Sequence, residues 1–232
     1  MADECKDACE AESSSSLSSL INTAKSSQDR DAALALCSLE RHHVRGWLGA
    51  TAYQHLLCLS YYQFPWQHWI LRWKFHDDLT DGALLCQLFA HAAATYYRRI
   101  TANGCFPDQI PAAICFVPTS TARFAQRGFN PAEMLARALA TAWQRPVVDA
   151  FYCTAQSKTQ VGANRRQRLR QASQRFGIKA QPTGWPTSML LVDDVITTGA
   201  TVQCLARLLL QQGVKQITVA CLCLTAPSHD LG

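Results

Sequence analysis

The chain lacks any apolar run of the roughly 20 residues that a membrane-spanning helix needs. Its longest helical apolar stretch, around Ala83–Tyr97, is interrupted by Gln87 and His91. It also starts without the basic and then apolar segments of a secretory signal, since "MADECKDACEAESSSS" is acidic and polar. No Cys-x-x-Cys pair occurs anywhere. The 11 cysteines fall at irregular spacings, several inside apolar runs, which argues against a disulfide framework and for buried thiols of a reduced, cytoplasmic protein. There is no Gly-Lys-Ser/Thr ending of a P-loop, so a Walker-type nucleotide site fits poorly, and there is no internal repeat.

Acidic residues are scarce beyond the first forty. Residues 1–40 hold eight acidic and three basic side chains, which leaves residues 41–232 with a net charge of +10 within a total of +5. A basic body points to anionic partners, phosphates or nucleic acid. With 232 residues, 48% of them hydrophobic, the chain suffices for one well-cored domain plus an accessory segment. Residues 1–45 read as a polar, acidic arm, disordered or weakly helical, and residues 46–232 as the domain.

Within that domain, Tyr53–Tyr62 reads as an extended apolar segment. Trp66, Trp69, Ile70 and Trp73 recur at the spacing of one helical face, for which core packing outweighs base stacking. A helical pattern at Leu79–Ile100 precedes a short strand within Ala112–Pro118. Asn130 as N-cap, Pro131 at the first helical position and Glu133 at the third then open another helix. Strands are expected near Val147–Tyr152, Phe176, Met189–Val192 and Gln216–Leu224, with a helix at Thr201–Gln212 ended by Gly213. The alternation predicts an α/β fold, a mainly parallel sheet with helices on both faces.

The chemistry concentrates in "MLLVDDVITTGATV", Met189–Val202. In a parallel sheet, ligands gather where strands end and loops lead into helices. Asp193 and Asp194 are expected at such an end, on the solvent edge. Thr197, Thr198, Gly199, Ala200 and Thr201 then offer hydroxyls and free amides at a helix N-terminus, which favours a phosphate. Gly199 permits a close backbone approach or an unusual torsion. Carboxylates would repel that phosphate on contact and are better explained as acceptors for a vicinal diol, so the ligand implied is a ribose 5-phosphate group. A receiver domain also places paired acids after an apolar strand, but it needs several βα units downstream, and only about 30 residues follow.

This stretch resembles the phosphoribosyl diphosphate (PRPP) motif of type I phosphoribosyltransferases. "FVPTSTARFAQRGFNPAEMLARALA" in turn is similar to the signature of the ComF/GntX family of phosphoribosyltransferase-like proteins, associated with DNA uptake in natural transformation. Arg123, Arg127, Gly128, Phe129 and Asn130 match that signature, and Pro131 stands where Gln is usual. Gln160, Arg168 and Phe176 keep the family spacing, Ser157 and Gln171 replace Thr and Asn, and "ILRWKFHDD" matches an earlier Lys-Phe segment. The family commonly begins with a four-cysteine zinc module; with Cys5 and Cys9 four apart, Cys37 isolated and Cys58 in an apolar segment, that module is expected to be degenerate or lost.

The resemblance implies a type I phosphoribosyltransferase-like domain that binds PRPP. Asp193, Asp194 and Arg123 are then the catalytic candidates, and Thr119, Ser120, Arg123 and Arg127 the loop beside the pyrophosphate. Mg2+ would be held through substrate and water rather than by protein ligands. Arg165, Arg166, Arg168 and Arg170 admit a solvated face, a loop closing over diphosphate, or a nucleic-acid contact. Two functions follow. One is transfer of phosphoribose to an unknown acceptor with release of pyrophosphate. The other is a non-catalytic PRPP- or nucleotide-sensing module that binds single-stranded DNA and works with competence and DNA-processing proteins.

Overall fold

The computed structural model describes residues 48, 50–75, 79–102, 110–154 and 174–225. The elements run β1 (His55–Tyr61), α1 (Trp66–Phe75), α2 (Leu79–Ala102), β2 (Ala113–Phe116), α3 (Thr121–Arg127), α4 (Pro131–Trp143) and β3 (Val147–Val148). They continue with β4 (Phe151–Cys153), β5 (Phe176–Ile178), β6 (Ser188–Ile196), α5 (Ala200–Gln211) and β7 (Gln216–Leu224). Segments that are apolar at nearly every position, such as β2 and β7, are buried along nearly their whole length, as strands with helices over both faces must be.

Five strands form one sheet in the order β1-β7-β6-β2-β3, every neighbour parallel. The core alternates with the pleat. Met189 and Leu191 of β6 and Ile217 and Val219 of β7 join Val202, Leu205, Ala206 and Leu209 of α5 in one cluster. The intervening residues Leu190, Val192 and Leu222 are also fully buried, and α4 packs on β2 and β6 while α2 packs on α4 and β1. The strand order places a reversal between β6 and β2. From β6 the chain crosses by α5 to β7 on one side; from β2 it crosses by α3 and α4 to β3 on the other. A crevice opens at the carboxyl ends of two such diverging strands.

Two expectations change. The single strand expected at Val147–Tyr152 is divided at Asp149–Ala150. Val147–Val148 extends the parallel sheet beside β2, whereas Phe151–Cys153 leaves it to pair antiparallel with β5 in a separate two-stranded ribbon. The strand expected to stop at Val192 continues to Ile196, because β7 is long enough to pair with it through Val195↔Cys223 and Ile196↔Leu224.

The helix boundaries follow the capping chemistry. Asn130 caps α4, its Oδ1 accepting from Ala132 N at 3.2 Å while its Nδ2 donates to Val117 O at 3.0 Å, so one side chain ties the helix start to the end of β2. Gly213 follows the end of α5 with φ +91°. Trp69, Ile70 and Trp73 are buried, in keeping with core packing of that helical face. The polar arm of residues 1–45 lies outside the described residues. Among the described residues, no helix is long and apolar enough to cross a membrane.

Candidate functional site

The crevice between β2 and β6 holds a cavity of about 470 Å³. β6 supplies Asp193, Asp194 and Val195, the turn after it supplies Thr197, and the first turn of α5 supplies Thr201. The turn after β2 gives Pro118, Thr119 and Ser120, followed by Arg123 and Arg127 of α3. Both sequence-derived halves of the site therefore meet in one space. Thr198, Gly199 and Ala200 do not line it. A Cβ built on Gly199 would lie 2.9 Å from Leu48 Cδ2, and φ is +71°, so glycine here serves a left-handed turn packed under Leu48.

The acids are not at the solvent edge. They lie within β6, Asp193 only 9% exposed. Asp193 Oδ1 accepts from Asp194 N at 2.9 Å, and Asp194 Oδ1 accepts from Val195 N at 2.8 Å. Asp194 also forms an ion pair with Lys74 of α1. Burial, then the neighbouring Asp194, push Asp193 well above the ordinary carboxylate range. Burial acts upward on Asp194 too, but the Lys74 ammonium and its hydrogen bond outweigh it and hold that carboxyl below its usual value. The two adjacent aspartates thus differ in proton affinity, Asp193 holding a proton more readily than Asp194.

Four cations line the cavity, Lys74, Arg123, Arg127 and Arg175, against these two acids. Arg127 lies with its guanidinium 4.6 Å from the centre of the Phe75 ring, and its buried Nε finds no hydrogen-bond partner among the described residues. Burial, partly offset by Asp194, lowers its pKa. Ser120 caps α3, its Oγ accepting from Arg123 N at 3.4 Å. Burial chiefly raises the Tyr62 phenol at the rim. Behind the acids, burial raises the thiols of Cys221 and Cys223, which leaves them neutral and poor nucleophiles. Cys58 is fully buried in β1, its Sγ donating to Ser60 O at 2.9 Å. Among the described residues no three His, Cys, Asp or Glu converge as a metal site would require.

Lys74, Tyr62, Phe75, Arg175 and Thr225 also line the cavity, beyond the site residues that the sequence points to. The Lys-Phe of "ILRWKFHDD" was the available signal for two of them. Arg165, Arg166, Arg168 and Arg170, with Cys5, Cys9 and Cys37, lie outside the described residues.

Comparison with known proteins bears on the family. Residues 125–230 match the phosphoribosyl transferase domain. The DNA utilization protein YhgH of Salmonella typhimurium is 32% identical over 177 residues, covering 75% of this chain and 73% of that protein. Its counterpart in Escherichia coli K12 is 36% identical over 121 residues, about half of each chain at 50% and 51%. Competence protein F of Haemophilus influenzae is 26% identical over 170 residues, 72% of both chains.

Proposed function

We propose, on the premise that this chain belongs to the ComF family of phosphoribosyltransferase-type proteins, that its cavity binds PRPP and transfers phosphoribose to an acceptor with release of pyrophosphate. The observation that carries this is the meeting of an acid pair and an arginine-bearing turn across one crevice. Thr197 and Thr201, at the start of α5, suit the 5-phosphate. Asp194, held ionised by Lys74, suits the ribose hydroxyls as an acceptor, and Asp193 beside it completes the pair. Arg123 and Arg127, with the Thr119 and Ser120 hydroxyls, suit the diphosphate.

Attack by the acceptor at the ribose anomeric carbon breaks the carbon–oxygen bond to diphosphate, which departs with the electron pair, and the acceptor gives up its proton. Arg123 and Arg127 stabilise the charge that develops on the departing oxygen, the largest contribution the site has to make. The protein carboxylates are already engaged, Asp194 by Lys74 and Asp193 beside it, so PRPP and water would supply the ligands of Mg2+. Mg2+ bound in that way would neutralise diphosphate charge.

Calorimetry with PRPP and Mg2+, alongside a pyrophosphate-release assay across candidate acceptors, tests the reading. Saturable PRPP binding is expected; none at millimolar PRPP would overturn it.

The names of the relatives, DNA utilization and competence, together with the net charge of +10 over residues 41–232, favour a second reading in which single-stranded DNA is bound. Affinity should then fall linearly in a log–log salt plot. Replacing Arg165, Arg166, Arg168 and Arg170 by Gln should flatten that slope and leave PRPP affinity unchanged. A wild-type slope in the variant would remove these arginines from the DNA contact.

A further inference from the structure

We infer that Lys74 is a positioning residue for ribose recognition: its ammonium, on the last turn of α1, holds the Asp194 carboxylate charged and in place for the sugar hydroxyls. The inference deepens the PRPP reading and rests on it for the identity of the ligand.

Three consecutive residues of α1 make three different contacts. Trp73 stacks on Phe129 with ring centres 5.8 Å apart, Lys74 pairs with Asp194, and Phe75 lies under the Arg127 guanidinium. Successive helical residues point about 100° apart, so one turn reaches the Arg-Gly-Phe-Asn turn on one side and the acid pair on the other. Trp73, fully buried, sets the depth and rotation of that turn. Lys74 is therefore delivered to Asp194 by a packed element rather than by a free side chain.

Among the described residues, Lys74 is the cation that forms an ion pair with Asp194, while Arg123 and Arg175 line the same cavity without one to it. Asp193 adjoins it on β6, Tyr62 faces it from the end of β1, and Cys223 faces it from β7; none of these is a cation. Arg127 of α3 attracts it but lies over Phe75. The Lys74 and Asp194 side chains are only 15% and 16% exposed, so water and salt screen the pair weakly. Without Lys74, two neighbouring, shielded carboxyls would compete for one charge, and both would favour protonation.

The signs follow. Lys74 lowers the pKa of Asp194, so its removal raises it, and Asp194 then becomes protonated, and a poorer acceptor of hydroxyl hydrogens, as the pH falls. PRPP affinity of wild type, Lys74→Arg, Lys74→Met and Lys74→Gln should be compared at pH 5.5 and pH 8. The phosphates of PRPP titrate alike for all four, so the ratio of the two affinities, compared with that of wild type, reports the protein. For Lys74→Met and Lys74→Gln the ratio should worsen, because a larger fraction of Asp194 is protonated at pH 5.5 than at pH 8 once the ammonium is gone; Lys74→Arg should track wild type.

Carbon-13 NMR of aspartate-labelled, ligand-free protein, with Asp194→Asn to assign the signal, gives an independent reading. Asp194 should titrate at higher pH in the Met and Gln variants. Equal loss of affinity at every pH, with the Asp194 titration unmoved, would reduce Lys74 to a structural role and overturn the inference. Absence of PRPP binding by the wild type would instead remove the PRPP reading, and ribose recognition with it, while the NMR titration still decides whether Lys74 governs Asp194.

Discussion

Replacing Asp193 and Asp194 together by Asn is expected to abolish PRPP binding and also to destabilise the protein. At a solvent edge the pair would matter to ligand alone; burial within β6 gives each acid a structural part as well. Asp194→Asn strands the Lys74 ammonium, whose side chain is only 15% exposed. Breaking a fully buried pair costs about 3–5 kcal/mol, and the residual exposure here reduces that to about 1–3 kcal/mol. Asp194, with its folded pKa depressed, contributes stability above its unfolded value that is lost as pH falls through the folded one. Asp193 is the reverse case. Its pKa is raised from 3.8, so wild-type stability declines as pH rises above about that value toward the folded pKa. Asp193→Asn, which cannot ionise, should therefore gain relative to wild type as pH rises, whereas Asp194→Asn should lose most at neutral pH. Thermal melts of both single variants between pH 4 and pH 8 check this. Identical pH profiles for the two would refute the division of charge between the acids.

Gly82→Ala should be nearly as damaging, although Gly82 lies in α2 and alanine is ordinarily the better helix former. A Cβ at Gly82 would lie 2.2 Å from Trp73 Nε1 and 2.4 Å from its Cδ1. The indole is fully buried and stacked on Phe129, so it has little room to yield. Overpacking of this kind costs about 1–3 kcal/mol, on the order of 3–10 °C in Tm for a domain of this size. Any displacement of Trp73 is passed to Lys74 and Phe75, so PRPP affinity should fall with stability. Trp73→Phe in the Gly82→Ala background should restore part of both. A melting temperature for Gly82→Ala within one degree of wild type would show that the indole moves freely.

The parts of the fold written locally were legible. β7 and the Met189–Val192 part of β6 are nearly unbroken apolar runs, and α4 begins with Asn130 and Pro131 in their preferred positions. Both loops of the site follow from residues adjacent in sequence. Lys74 was not legible as an ion-pair partner, because a lysine in the last turn of an amphipathic helix is already accounted for by the helix dipole, and Asp194 lies 120 positions away. α3 escaped notice for a different reason. It has a Ser120 cap and a Gly128 stop but buries none of its seven residues, so it leaves no periodic apolar trace. The division of Val147–Tyr152 depends on which partner strand each half finds, and neither partner is nearby in sequence.

The crevice between β2 and β6 has a bearing on folding. Ala113–Phe116 pairs with Met189–Val192, a separation of 76 residues, so the cavity cannot be built by one stretch of chain alone. Closing that long loop is a slow, non-local step, and binding competence arrives only once the centre of the sheet is assembled. A ligand spanning both walls would stabilise the native state by mass action, growing with the logarithm of its concentration above Kd, acting as a latch across the β2–β6 seam.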